Sequence, residues 1–209
     1  MSTIYLIRHG ESVGNFENRF RGRHDFPLNE KGLEQARALK KALQNIDFGA
    51  IYSSPLSRAF QTAEILVDGK LPVNIHDGFN NISLGPWENR RKEEIKKKYP
   101  DLWQIWKTQP ERLSVPGMES LQQVRERSFN ALKELIAKHP QDTIAVVTHR
   151  AVLKPLFAAV LDMPEPYFWK IHIDTAAYAV LQYHPERGFT FMQINQNAHL
   201  RNFIVEDLG

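Results

Sequence analysis

The sequence predicts an α/β domain in which helices cover both faces of a mostly parallel but mixed sheet. Three observations predict it. Short apolar runs alternate with longer stretches of helical periodicity along most of the chain. The runs at residues 3–7 and 143–148 are apolar almost throughout, as strands buried on both faces are. Near the C-terminus two β-prone segments flank Pro185-Glu186-Arg187-Gly188, a hairpin that adds antiparallel pairing.

In order, residues 3–7 read as a buried strand that stops abruptly at Arg8-His9-Gly10. Asn29 caps a helix through about residue 46, with Leu33, Ala36, Leu39, Leu43 and Ile46 along one face. Residues 50–53 form a second strand. Ser54-Pro55 reads as a cap followed by proline at the first helical position, opening a helix to about residue 67. Residues 72–75 are a third strand and 78–89 a loop. Helical character returns over 90–99, 101–108 and 120–138. A fourth strand at 143–148 precedes a helix over 151–161, and the hairpin strands are 176–183 and 189–194. No linker or repeat divides the 209 residues, so one domain is expected over 1–209, with a helical insertion at about 90–116 lying over the site. A chain this long buries roughly 70% of its unfolded surface.

Composition narrows the function classes. The chain has no cysteine, which excludes disulfides, thiolate catalysis and Cys-ligated metals. The residues Arg90, Arg91, Lys92, Lys96, Lys97 and Lys98, offset by Glu93 and Glu94, exceed the net charge of +3, so the remainder is about neutral. A single mixed-sign run on a helix reads as a solvated face, not a nucleic-acid surface. The first apolar run is too short for a leader or a membrane span. The expectation is a soluble, cytoplasmic protein without nucleic-acid or membrane partners.

Open α/β sheets bind ligands at the carboxyl ends of their strands. His9 and His149 both fall at such ends, Arg8 stands beside the first, and Arg58 lies in the first turn after the second strand. Two imidazoles and two guanidinium groups converging on one crevice suit a dianionic phosphate. Guanidinium forks grip its oxygens, and a neutral imidazole attacks phosphorus to form a covalent intermediate that water opens.

These residues carry a resemblance. Arg8-His9-Gly10-Glu11-Ser12 with Asn15 resembles the Arg-His-Gly signature of the histidine phosphatase superfamily, the group that contains cofactor-dependent phosphoglycerate mutases. Segments at 21–32, 53–63 (with Arg58), 147–149 and 197–200 (Asn197-Ala198-His199-Leu200) are similar to further family segments in the same order. The resemblance implies a phosphoglycerate-mutase-like three-layer α/β/α sandwich. It implies that His9 is phosphorylated while Arg8, Arg58 and His149 hold the phosphoryl oxygens, with Asn15 assisting. Arg21, Gly22, His24, Glu119 and His199 are the further candidates for binding substrate, and neither metal nor cofactor is implied. Length and C-terminal tail look most like the branch of metal-independent phosphoserine and α-ribazole phosphatases.

One position departs from the pattern. In the family's Leu-x-Glu-x-x-x-Gly-x-Trp type segment the glutamate protonates the leaving oxygen. Here Gly85 and Trp87 align and Asn81 takes the acid's place. An amide can hydrogen-bond a leaving oxygen but delivers no proton, and losing a positioned acid costs roughly 10²–10⁴-fold in rate. Either Glu11, His24, Asp25, Glu88 or Glu119 replaces it, or the chain is an impaired relative that binds phosphate esters or pairs with a homologous subunit. The expected activity is hydrolysis of a small phosphate ester, phosphoserine-like by resemblance. A mutase is the further alternative, disfavoured by the compact insertion. Bare strand edges and a Trp-rich helical face offer surfaces for a homodimer.

Overall fold

A computed structural model describes residues 1–200. Its elements are β1 (Ser2–Arg8), α1 (Val13–Phe16), α2 (Glu30–Ala42), β2 (Ala50–Ser53), α3 (Ser57–Val67), β3 (Val73–Ile75), α4 (Lys92–Lys98), α5 (Pro100–Thr108), α6 (Leu121–Lys138), β4 (Thr143–Thr148), α7 (Arg150–Val160), β5 (Tyr178–His184) and β6 (Gly188–Gln196). The six strands form one sheet in the order β3-β2-β4-β1-β5-β6. The pairs β3–β2, β2–β4 and β4–β1 are parallel, whereas β5 runs antiparallel to both β1 and β6. The expected mixed α/β architecture is therefore observed.

Alternation along the strands divides the core into two layers. Ile4, Leu6, Ala50, Tyr52, Ile144 and Val146 belong to one cluster, shared with Val124, Leu132 and Leu135 of α6 and Val152, Leu153 and Leu156 of α7. Their neighbours Ile7, Ile51, Ala145 and Val147 join the other, with Leu39 of α2 and Ala59, Ala63 and Leu66 of α3. Helices thus cover both faces, and the central strands are fully enclosed. Their groove-facing ends are where side chains emerge.

Several boundaries differ from the sequence expectation for local reasons. Helix α2 stops at Ala42, yet Ile46 still packs on the core from a following turn, its N–H donating to Leu43 O at 3.0 Å. Helix α3 begins at Ser57, not at Pro55, because Ser54 is engaged elsewhere and Leu56 occupies the cap position. Residues 90 and 91 are not helical. Their backbone pairs with the 18–20 segment, where Phe20 N donates to Arg90 O at 2.9 Å. The 78–89 stretch is tightened by 3₁₀ turns at Asp77–Phe79 and Gly85–Trp87. Strand β5 starts at Tyr178 because Ala176 is left-handed, at φ 55°, and donates its N–H to His9 O.

The loop after β1 is clamped on the start of α2. An added Cβ at Gly10 would lie 2.5 Å from Gly32 O, and one at Gly32 would lie 1.9 Å from Glu11 O. Both neighbours are backbone and cannot turn aside. Glycine-to-alanine inside a helix ordinarily gains about 1 kcal/mol. Here the sign reverses: Gly32→Ala is expected to lose about 2–3 kcal/mol to overpacking. Urea unfolding measures this, and an unchanged midpoint would show that the loop has room to move.

Candidate active site

Strand register brings the site together. Arg8 is paired with Thr148 across β1 and β4, and Ser53 with Val147 across β2 and β4. The residues that follow, His9, His149 and Ser54, therefore leave the sheet side by side. The two imidazoles sit edge to face with ring centres 5.0 Å apart, both essentially buried. Each strand end is also tethered. His9 N donates to Thr148 O at 3.0 Å, Gly10 N to Thr62 Oγ1 at 3.1 Å, and Thr148 Oγ1 to Phe79 O at 2.7 Å.

The hydrogen bonds assign the tautomers. His9 Nδ1 faces Gly10 O at 2.6 Å, so it carries the proton and leaves the Nε2 lone pair unprotonated. His149 Nε2 lies 2.7 Å from Ser54 Oγ. That hydroxyl accepts from Leu56 N at 3.3 Å and has one hydrogen of its own to give, which His149 Nε2 is placed to accept. With the Ser54 hydrogen directed at Nε2, the proton of His149 resides on Nδ1, a buried atom that no protein acceptor meets. Such a group is a donor awaiting an anion.

Charge reinforces these states. Burial holds His9 well below its usual imidazole range, and the Arg58 and Arg8 guanidinium groups push it further. His149 is likewise held down, first by burial and then by Arg58 and His9. Both rings are neutral at pH 7. Arg58 is fully buried. Its terminal nitrogens donate to His24 O at 3.0 Å and Gly22 O at 2.9 Å. Burial, and then Arg21, press Arg58 down to about 9, so it remains cationic at neutral pH. Arg8 donates to Ile173 O at 2.8 Å.

A cleft opens to solvent beside these groups. Arg8, His9, Arg21, Gly22, Asn81 and His149 all line it. The other expected residues lie outside the lining. Asn15 Oδ1 accepts from Ser12 Oγ at 2.7 Å and Ser12 N at 3.2 Å, capping α1. His24 is exposed, its ring against Phe26. His199 supports the site from behind: Nε2 is 3.0 Å from Ala176 O, and Ala176 N bonds His9 O. Burial lowers the His199 pKa.

None of the substitute acids lines the cleft. Glu119 is paired with Arg127, Nε to Oε1 at 2.6 Å and a terminal nitrogen to Oε2 at 3.1 Å, and also accepts from Ser83 N. Glu88 Oε1 accepts from Arg23 N and Leu84 N, both at 3.0 Å. Asp25 receives Ser57 N and Oγ, and Glu11 Oε1 receives Asn29 Nδ2 at 2.7 Å. Asn81 itself is buried. Its Nδ2 is committed to Gly22 O at 2.7 Å, leaving Oδ1 without a protein partner. Among the described residues no group of three or more His, Asp or Glu side chains is gathered as metal ligands would be.

The structure adds residues that sequence reasoning did not single out. Ser54 is a tautomer-setting partner, not a helix cap; its place beside a strand end was the available signal. Arg19 and Arg150 line the cleft, as do Phe20 and Phe168. Lys92 lines it as well, whereas its neighbours Arg90 and Arg91 are exposed, so the basic run divides between cleft and solvent. Trp106 forms part of the wall as well as packing on the core. The helices at 92–108 thus contribute one cation and one aromatic ring to the site.

Comparison with known proteins agrees with this geometry. Residues 4–197 match the family model of the histidine phosphatase superfamily, branch 1. The chain is 33% identical over 207 residues to phosphoserine phosphatase 1 of Hydrogenobacter thermophilus, covering 99% of this chain and 98% of that protein. It is 28% identical to the adenosylcobalamin/alpha-ribazole phosphatase of Escherichia coli, covering 93% and 96% respectively. Among solved structures, Bacillus stearothermophilus YhfR superposes with a TM-score of 0.92 at 31% identity, covering 95% of this chain and 99% of that one.

Two outcomes follow from the tautomers and charges. Imidazole signals of His9 and His149, followed by NMR, are expected to titrate only well below pH 6.5; a midpoint at or above 6.5 would contradict the neutral pair. Because the folded state refuses protons that unfolded histidines accept near 6.5, these two rings withdraw stability as pH falls below that value and cost nothing above it. Second, Ser54→Ala is expected to release the His149 tautomer, visible in its ¹⁵N shifts, and to lower kcat about tenfold through loss of one aligned donor. An unchanged tautomer ratio would remove Ser54 from the site.

Proposed function

Since the chain belongs to the histidine phosphatase superfamily and is a phosphatase, we propose that it works through a phosphohistidine on His9 without a metal. The observation that carries this reading is the unprotonated Nε2 of a neutral imidazole, fixed by the Nδ1 bond to Gly10 O beside Arg8 and Arg58. The Nε2 lone pair attacks phosphorus, and the P–O bond to the leaving group breaks with its electrons on oxygen. Arg8, Arg58 and the Nδ1–H of His149 receive the charge on the equatorial oxygens. Water then attacks phosphorus and the P–N bond breaks. Both water protons stay with the released phosphate, and His9 returns to its neutral form.

Guanidinium and imidazole groups meet the charge on the transferred phosphoryl group, which supports independence from metal. A cytoplasmic location is part of the same reading, supported by the cysteine-free composition. The substrate is a small phosphorylated metabolite, and the relatives named for phosphoserine and α-ribazole favour monoesters of that kind. One observation favours a second reading, a phosphate-ester binder with little turnover: Asn81 supplies no proton and no carboxylate stands in for it.

Acid-labile phosphate on His9, released by water in the presence of a chelator, is the expected result with an aryl phosphate, and His9→Ala should abolish it. Label persisting in His9→Ala would refute the nucleophile. Asn81→Glu is expected to raise turnover of phosphoserine at least tenfold, toward the roughly 10²–10⁴ that a placed acid supplies. A rate that does not rise would show that proton delivery is not what Asn81 withholds.

A further inference from the structure

We propose that the cleft has a further activity, the hydrolysis of N-phosphorylated amines, in which phosphorus is bonded to a nitrogen that itself carries hydrogen. This rests on His9 acting as the nucleophile, as proposed above, and adds a substrate class to it. The residue that selects the class is Asn81, through its Oδ1 atom.

The amide of Asn81 is held in one orientation. Its Nδ2 donates to Gly22 O at 2.7 Å, and a carbonyl only accepts, so the side-chain nitrogen and oxygen cannot exchange places. The backbone is fixed as well. Asn81 O accepts from Arg23 Nε at 3.1 Å and from an Arg127 terminal nitrogen at 3.2 Å, while Asn81 N donates to Asn80 Oδ1 at 2.8 Å. Gly22 O also accepts from an Arg58 terminal nitrogen at 2.9 Å, so the amide stands beside the guanidinium that meets the phosphoryl group. Asn81 lines the cleft with Arg8, His9 and His149, and its Oδ1 is a buried acceptor with no protein donor. Leaving a buried acceptor unpaired is destabilising, and a donor brought by a ligand relieves it.

The group that leaves phosphorus and the water that later replaces it both stand in line with His9 Nε2. From the acid's place, Oδ1 serves whichever of them brings hydrogen. An alcohol leaving without a proton departs as an alkoxide, with a basicity near that of hydroxide, about pKa 15.7 for its parent water. That anion would face a carbonyl oxygen. Among the described residues the lining includes no aspartate, glutamate or tyrosine to protonate it. The carboxylates of Glu11, Glu17, Asp25, Glu88 and Glu119 are each engaged by other donors. A bridging nitrogen differs on both counts. It is basic enough to take its proton from water before the reaction, so it leaves as a neutral amine, and its N–H is the donor that Oδ1 lacks. A site that hydrogen-bonds a substrate N–H rejects analogues without it by as much as about 10⁴–10⁵-fold.

The reaction balances without a co-reactant. With the bridging nitrogen protonated, His9 Nε2 bonds to phosphorus, the substrate P–N bond breaks, and its electron pair stays on nitrogen as the neutral amine departs. One N–H of that nitrogen donates to Asn81 Oδ1. Water then attacks phosphorus while donating to the same Oδ1, and the P–N bond to His9 breaks. Both water protons remain on the inorganic phosphate, and His9 returns to its neutral form.

The test compares kcat/KM, with chelator present and His9→Ala as the blank for spontaneous decay, across four compounds. Phosphoramidate carries hydrogen on its bridging nitrogen. N-phosphoimidazole also needs no acid but has no hydrogen on that atom. Para-nitrophenyl phosphate is the ester that needs no acid, and phosphoserine is the ester that does. Phosphoramidate is expected to exceed phosphoserine by about 10²-fold or more, the low end of what a placed acid supplies. Asn81→Ala should lower kcat/KM for phosphoramidate about tenfold more than for N-phosphoimidazole, the effect of one lost hydrogen bond. An equal loss for the two would overturn the role of Oδ1 and the proposal with it. If Asn81→Ala does not fold, the comparison in the unaltered protein decides. Phosphoserine turned over within tenfold of phosphoramidate would overturn the proposal, whichever group delivers the proton. Phosphoramidate left intact while the aryl phosphate labels His9 and is hydrolysed would overturn it and leave the phosphohistidine reading standing. Failure of every compound to label His9 would remove both.

Discussion

The site depends on the register of β1 against β4. Pairing Arg8 with Thr148 places the next residue of each strand at the same height, so two histidines separated by most of the chain leave the sheet in contact. A parallel ladder one residue out of step would turn every side chain of one strand to the opposite face. The catalytic arrangement and the core are therefore one constraint: the alternation that sorts Ile4 and Leu6 from Tyr5 and Ile7 also aims His9.

Around that point the backbone does much of the positioning. The carbonyls of Gly10, Gly22, His24 and Ile173 hold His9, Arg58 and Arg8, and Gly22 O also holds Asn81. Carbonyl partners orient cations without neutralising them as carboxylates would. The positive potential is left for a ligand, and the same potential keeps both imidazoles uncharged. A nucleophile made available by its surroundings costs stability: cations and neutral rings are buried together. Packing on both sheet faces supplies the compensation.

The missing acid belongs to the same electrostatic scheme. Each carboxylate near the cleft is bound to an arginine, an amide or a backbone N–H, where it braces the loops that shape the opening. Glu119 illustrates this. Its two oxygens tie Arg127 and Ser83, and Arg127 in turn holds the carbonyls of Gly78 and Asn81. The acidic side chains keep the wall in place while the interior remains cationic.

Much of this was legible in the residues. Alternating apolar runs and helical stretches gave the layered α/β arrangement, because hydrophobic periodicity is a local property of the chain. His9, Arg8, Arg58 and His149 stood out by their positions at strand ends and at a helix start, and Asn81 by its neighbours Gly85 and Trp87. Local chemistry could not reveal which side chains were already engaged. Ser54 reads as a cap and acts as the partner of His149; Asn15 reads as a ligand and caps α1; Lys92 reads as solvated and lines the cleft. Those assignments turn on hydrogen bonds and burial between residues far apart in sequence, such as the contact between Ser54 and His149. The chain order alone determined which elements form and which chemistry they carry. The folded packing decided which of those groups face the ligand, since a side chain held by a distant partner is turned away from the cleft or already engaged beside it.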